Sequence, residues 1–325
     1  MGAFLLLMLS NWLPVSPLDG LMQSAVNLPL FAVMITLISF GLFKLNMHLG
    51  KPHRFYRGFN NLRHSPVSRE IAGVSGFFAG LVGVGCLQML DSLWPGHAWV
   101  SNLSTGLSAI TLLSGALGLF YMIKLYLIPA RPYWNHWQTA TAFGSTLLSL
   151  GALLIALVSL IAGFAPAGLI KSLAGIIACG LIIEAVGHFF HGRYLKDKGN
   201  EGAASHYVQR TKFGYLWLIR NSLLGINITA ALIISQTDLS GTTGVISGTL
   251  LTLSILSSAI IGQALFYAIV IPTTLPGGFF WRNQGFVEHA RETGLADMPQ
   301  LGVSYEQHHK FDWRALIKTA PDQSE

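Results

Sequence analysis

The residues best suited to chemistry fall in one stretch, HLGKPHRFYRGFNNLRHSPVSREI, from His48 to Ile71. An imidazole, His48, opens it and a carboxylate, Glu70, stands near its end, with Lys51, His53, Arg54, Arg57 and Arg69 between them. The stretch begins where one long apolar run ends and stops where the next begins, so these groups are delivered to the edge of a hydrocarbon layer. Ionisable groups there are costly to keep and are functional candidates by default. If the connection folds back across the membrane surface, His48 and Glu70 come to neighbouring helix ends around a shared pocket. Such a pair supplies what two-proton quinone chemistry needs. One group hydrogen-bonds a carbonyl oxygen while the other relays protons to water, and histidine titrates near neutrality. A plainer reading of the same residues has His48 as an interfacial histidine and Glu70 pairing with Arg69 or Arg54 at a helix start. Spacing alone leaves both open.

The elements that must position these groups follow from composition. Of 325 residues only 10% are charged and 52% are hydrophobic, where a soluble domain carries charge at roughly 25% of positions. The chain therefore reads as an all-α integral membrane protein. Runs near 20 apolar residues cross about 30 Å of hydrocarbon at about 1.5 Å per residue. Seven are found, near 26–47, 71–94, 102–128, 139–164, 168–190, 216–235 and 244–271. Ahead of them Gly2 to Leu13, closed by Pro14, is too short to cross straight. It is either part of a first helix or a segment lying in the interface, which makes a bundle of about eight helices with a short or incomplete first one. No basic stretch precedes the first apolar run and no small-residue cleavage site follows it, so no signal peptide is expected. Residues 1–275 form the transmembrane domain in this reading and 276–325 a polar tail whose aromatic residues suit it to lie against a partner.

Basic residues orient the bundle. Alternate connections, from Lys44 to Arg69, Lys124 to Arg131, Arg193 to Arg220 and the tail after Pro276, hold 19 of the 20 Lys and Arg. By the positive-inside rule these are cytoplasmic, and so is the C-terminus. The same distribution explains the net charge of +6 without nucleic acid. Two cysteines, Cys86 and Cys179, fall inside apolar runs; an iron–sulfur cluster takes about four thiolates, so they are expected to be buried and inert. No phosphate loop or metalloprotease motif is present. His188 and His191, at i and i+3 beside Glu184, could ligate haem, although the histidines crowd one edge of the bundle. Glu184 is the one carboxylate clearly inside a span, suited to a proton path or a polar bundle contact, and an ion-coupled transporter would rest on it alone.

Three blocks carry a family resemblance. His48-Leu49-Gly50-Lys51-Pro52, followed by Ser65-Pro66-Val67-Ser68-Arg69-Glu70, resembles the H-L-G-x-P and S-x-x-S-x-E pattern of the dimethyl sulfoxide reductase membrane anchors (DmsC type), within the eight-helix NrfD-like quinone-interacting anchors. Met122-Ile123-Lys124-Leu125-Tyr126 with Pro132-x-Trp134 is similar to their M-x-R-x-Y and P-x-W. Ile261-Gly262-Gln263-Ala264-Leu265-Phe266-Tyr267 resembles their I-G-R-x-x-F-Y, with Gln263 standing in place of arginine.

The resemblance implies a multi-pass subunit of the bacterial cytoplasmic membrane, with ubiquinone or menaquinone as its redox partner and no haem, iron–sulfur cluster or metal of its own. It implies two further subunits, a four-cluster iron–sulfur protein and a molybdopterin catalytic subunit, placed by the basic side on the cytoplasmic face. That placement resembles the sulfite dehydrogenase anchor (SoeC type), which passes electrons from sulfite to quinone, with a DMSO or S-oxide reductase that oxidises menaquinol as the alternative. His48 and Glu70 inherit quinone binding by position, Arg54 and Arg69 are expected to hold the charge of Glu70, and Tyr126 joins the pocket. Lys51, His53, Arg57, Lys124, Arg131 and Trp134 are assigned to the rim or to partner docking.

Overall fold

A computed structural model of the chain describes residues 1–13, 18, 21, 24–47, 50–164, 166, 168–197, 201–237 and 241–271. His48 and the 276–325 tail lie outside the described residues. Among those described the secondary structure is helical throughout. The elements are α1 (Gly2–Trp12), α2 (Asn27–Met47), a 3-10 helix (Pro52–Phe59), α3 (Pro66–Leu93), α4 (Ala98–Tyr126), α5 (Gln138–Ile161), α6 (Leu169–Asp197), α7 (Glu201–Arg210), α8 (Gly214–Gln236) and α9 (Gly241–Ala268). Seven of them, α2 to α6, α8 and α9, are long and apolar enough to cross a membrane. Their outer faces carry exposed Leu37, Phe40, Ile110, Leu113 and Ile260, as a lipid-facing surface does and a water-facing one does not.

Local signals explain the boundaries. Ser65 caps α3, its hydroxyl oxygen accepting from the Ser68 N–H at 3.3 Å, and Pro66 occupies the first turn, where its missing N–H costs nothing. The helix therefore starts before the apolar run does and carries Arg69 and Glu70 in its opening turns. Short turns join the antiparallel pairs. Gly96 in the α3–α4 turn has φ +90° and Gly163 and Gly168 in the α5–α6 turn have φ +68° and +84°, a region that side chains rarely adopt.

Helix α1 lies within the bundle rather than along an interface. Phe4 and Leu7 are fully buried, and the Phe4 ring meets Phe31 of α2 and Phe77 of α3 edge-on, with centroids 6.0 and 5.7 Å apart. Gly2 approaches the α5 backbone so closely at Leu147 and Gly151 that neither glycine has room for a Cβ. On the non-basic side of the bundle, Asn27 Nδ2 donates to Gln88 Oε1 at 2.9 Å and Gln88 Nε2 to Ser104 Oγ at 3.0 Å, which ties α2, α3 and α4 together. The cysteines correct the expectation: both are free and exposed on the outer surface. In lipid the outside is as apolar as the inside, so an apolar thiol gains little by facing inward.

α3 and α4 pack as an antiparallel pair whose register is written in small residues. A Cβ at Gly73 would lie 2.5 Å from Gly118 N and one at Gly76 2.6 Å from Ser114 Oγ, and one at Gly80 would overlap Thr111 Oγ1. Gly106 of the same α4 has nothing within 4 Å. Gly73→Leu is expected to cost the folded chain about 1–3 kcal/mol or more by forcing the two backbones apart, and Gly106→Leu less than about 0.5 kcal/mol. Thermal unfolding in detergent reads the difference, and equal midpoints for the two variants would contradict the register.

Candidate functional site

Glu70, Val74 and Phe77 stand at i, i+4 and i+7 and share one face of α3. Val74 and Phe77 line an apolar cavity of about 540 Å³ between α1, α2, α4 and α5, with Met34, Leu119, Met122 and Phe143 among its other walls. The glycine register places Glu70 one turn nearer the basic side, opposite Tyr121 and Met122; the Arg69 hydrogen bond to Tyr121 fits that alignment. Glu70 is half-buried, and among the described residues its carboxyl has no hydrogen-bond or ion-pair partner. Its charge acts on the phenol of Tyr126, which lies one turn beyond Met122. A carboxyl and a phenol thus stand one helical turn beyond Val74 and Met122, two walls of the apolar cavity, toward the basic side.

The second and third sequence blocks meet at this phenol. The Tyr126 and Tyr267 hydroxyls are 2.7 Å apart, so one donates to the other. Trp134 Nε1 donates to Phe266 O at 2.8 Å, and the two rings stack with centroids 5.4 Å apart. Tyr126 also stacks on Phe143, a wall of the cavity, at 5.8 Å. Arg131 lies 4.7 Å over the Trp134 ring. The loop after α4 is thereby clamped to the end of α9 by aromatic contacts and one buried indole hydrogen bond.

The basic residues of the first block do not gather on Glu70. Arg69 donates from Nε to Leu62 O at 2.7 Å, to Arg63 O, and to Tyr121 OH at 3.3 Å, with its guanidinium 5.2 Å over the Tyr121 ring. It closes the 3-10 connection onto α3 and α4, and the expected pairing with Glu70 is not formed. Lys51, His53, Arg54 and Arg57 are exposed on the 3-10 segment, a basic outer rim. Lys124 is exposed too, its ammonium 5.9 Å over the Phe120 ring. A carboxylate with cations held at one remove exchanges a proton more readily than one locked in an ion pair.

A second cluster was only half anticipated. His188 Nε2 lies 2.6 Å from an Arg220 amino nitrogen and 3.5 Å from Glu184 Oε1; its Nδ1 lies 3.3 Å from the Gln138 amide, and Ser145 Oγ donates to Glu184 at 3.2 Å. A guanidinium can only donate, so His188 Nε2 accepts from Arg220. His191 Nε2 in turn donates to Tyr133 O at 2.8 Å. Both imidazoles therefore hydrogen-bond to protein partners. The cluster lines a cavity of about 430 Å³ between α5, α6, α8 and α9, together with Tyr133 and Gln263. Burial pushes the Tyr133 phenol up to about 12, so it remains neutral. Arg220 also packs against Gly262 of α9. Sequence reading counted Arg220 with a connection; its place inside the run GYLWLIRNSLLGI was the available signal.

Breaking a buried ionic cluster by removing one member costs about 3–5 kcal/mol. Glu184→Gln and Arg220→Leu are each expected to lose stability of that order in detergent melts, and the double variant less than the sum of the two. Additive losses would mean that the two groups do not act as one unit.

A bundle with seven helices long and apolar enough to cross a membrane, among the described residues, belongs to the class of integral membrane proteins. The chain is a member of the DMSO reductase anchor subunit (DmsC) family, whose profile matches residues 1–269. It is 32% identical over 145 residues to YnfH, an anaerobic dimethyl sulfoxide reductase subunit of Escherichia coli (strain K12), covering 42% of this protein and 48% of the relative. It is 30% identical over 161 residues to the C subunit of the anaerobic dimethyl sulfoxide reductase of the same organism, covering 49% and 53%. The matched region thus spans about half the length of these relatives. No solved structure matches the protein.

Proposed function

We propose that the chain is the membrane anchor of a molybdopterin oxidoreductase, and that it exchanges electrons between the quinone pool and an iron–sulfur subunit docked on its basic side. The observation that carries this reading is the carboxyl of Glu70, without a partner among the described residues, one helical turn from the Val74 wall of an apolar cavity large enough for a quinone ring and the start of its isoprenoid tail. Reducing a quinone takes two electrons and two protons. The electrons come from the iron–sulfur partner that the family resemblance implies. Glu70 hands a proton to one quinone oxygen and refills from water at the basic rim. The Tyr126 phenol, held by Tyr267, orients the ring. His48, the residue that follows α2, hydrogen-bonds the other quinone oxygen and passes it the second proton, which it regains from water at the same rim. Running the steps backwards oxidises a quinol.

The distribution of basic residues supports a cytoplasmic catalytic module and a cytoplasmic C-terminus in a bacterial inner membrane. A cytoplasmic module fits sulfite oxidation with quinone as acceptor. The names of the relatives favour the other direction, S-oxide reduction by menaquinol, as the second reading.

Glu70→Gln or His48→Ala is expected to lower quinone-linked turnover of the purified complex roughly 100-fold, the scale of lost proton transfer. Activity with an artificial dye that meets the catalytic subunit directly stays at the wild-type level. Normal quinone-linked rates in both variants would remove Glu70 and His48 from the site. Sulfite-dependent quinone reduction by the wild type distinguishes the first direction from the second.

A further inference from the structure

A cleft of about 490 Å³ opens between α6, α7 and α8. Its outer end is cationic. Arg193 and Lys196 come from the last turns of α6, His206 and Arg210 from α7, and the inner edge is closed by Arg220. Among the described residues no carboxylate forms an ion pair with Arg193, Lys196 or Arg210. The guanidinium of Arg193 lies 5.8 Å over the Phe189 ring and that of Arg210 lies 5.7 Å over the Trp217 ring. Aromatic faces cover the flat sides of these groups and leave their N–H edges for an oxygen ligand.

Two buried nitrogens of residues lining this cleft, His206 Nδ1 and Arg220 Nε, have no partner among the described residues. Buried polar atoms are almost always satisfied, so the pair marks a missing group. Burial, then the charges of Arg210 and Lys196, hold the His206 imidazole below its usual range, as a site built for negative charge would before it is filled. The inner end of the cleft is apolar. Ala185, Leu224, Gly225 and Ile228 line it well inside the spans, and Gly225 has open space beside it.

We propose that this cleft binds an anionic phospholipid, its phosphate held by Arg193, Lys196, His206 and Arg210 and one acyl tail lying along Gly225 and Ile228. Cationic pockets between spanning helices take acidic lipid headgroups by the same chemistry. A free phosphate would leave the inner groove empty, and a docked protein segment would have to enter the hydrocarbon layer to fill it. The site shares only His188 and Arg220 with the α5–α9 cavity and does not depend on the quinone reading.

The test uses the full-length protein purified with the subunits that accompany it, washed free of lipid in detergent. Wild type, Arg193→Gln/Arg210→Gln and Gly225→Leu are given equal phosphatidylglycerol and phosphatidylethanolamine in mixed micelles, and bound lipid is counted by native mass spectrometry. Wild type is expected to prefer phosphatidylglycerol about tenfold, and the double variant to lose that preference. Gly225→Leu fills the groove, leaves every charge in place, and is expected to bind less of the lipid. Equal lipid retention by wild type and both variants overturns the proposal. So does displacement of the lipid by millimolar inorganic phosphate, which would mark a free-anion site. Loss of the accompanying subunits from the double variant with lipid retention unchanged also overturns it, as the cleft would then be a protein-docking face. Should the double variant fail to fold, Gly225→Leu decides the question alone.

Discussion

Backbone contact at Gly73 and Gly118 fixes the rotation and register of α3 against α4, and the candidate site depends on it. In lipid the hydrophobic effect does not drive one helix against another, because the solvent is as apolar as the side chains. Close van der Waals contact has to do that work, and only residues without bulk permit it. The run of small residues down α3, from Gly73 through Gly76 to Gly80, admits the backbone and small side chains of α4. With that face committed to α4, the neighbouring face turns Val74 and Phe77 into the cavity and carries Glu70 one helical turn beyond Val74. A similar contact between Gly2 and the α5 backbone sets α1 deep enough for Phe4 to reach both Phe31 and Phe77.

The polar groups inside the bundle divide by whether they are satisfied. Asn27, Gln88 and Ser104 answer one another on the non-basic side, and Glu184, His188, Gln138 and Arg220 form a connected cluster on the basic half. Such networks hold helices in place because a broken member is left without water to turn to. Glu70 is different in kind. It is half-buried with no partner among the described residues, which is costly for stability and useful for a group that must pick up and release a proton. The basic cleft between α6, α7 and α8 shows the same mark of incompleteness, with nitrogens of His206 and Arg220 unanswered among the described residues.

Hydropathy made the seven spans legible, and the distribution of lysine and arginine made the two sides distinct. The misreadings lie where a helix outlasts its apolar run. α3 begins at Pro66 rather than 71 because Ser65 caps it and the charged turn continues the same hydrogen bonding. α6 runs to Asp197 rather than 190, since HGRYLK carries helix-forming residues past the hydrocarbon. Arg220 looked like the end of a connection and is instead buried inside α8. The cysteines looked interior and face outward, because an apolar residue in a spanning run carries no record of which way it points.

The sequence by itself determined which seven segments are long and apolar enough to span, which ends are basic, and which blocks carry chemistry-bearing side chains. These are properties of each segment's transfer from water to lipid, and they need no knowledge of neighbours. Tertiary structure alone decided that Arg69 turns to the connection and Tyr121 instead of Glu70, that Tyr126 meets Tyr267 across 141 positions, and that Arg220 finds His188. Those pairings depend on which faces of distant helices fit closely. That fit is set by the match of small side chains on one helix to backbone on another, which no single segment contains.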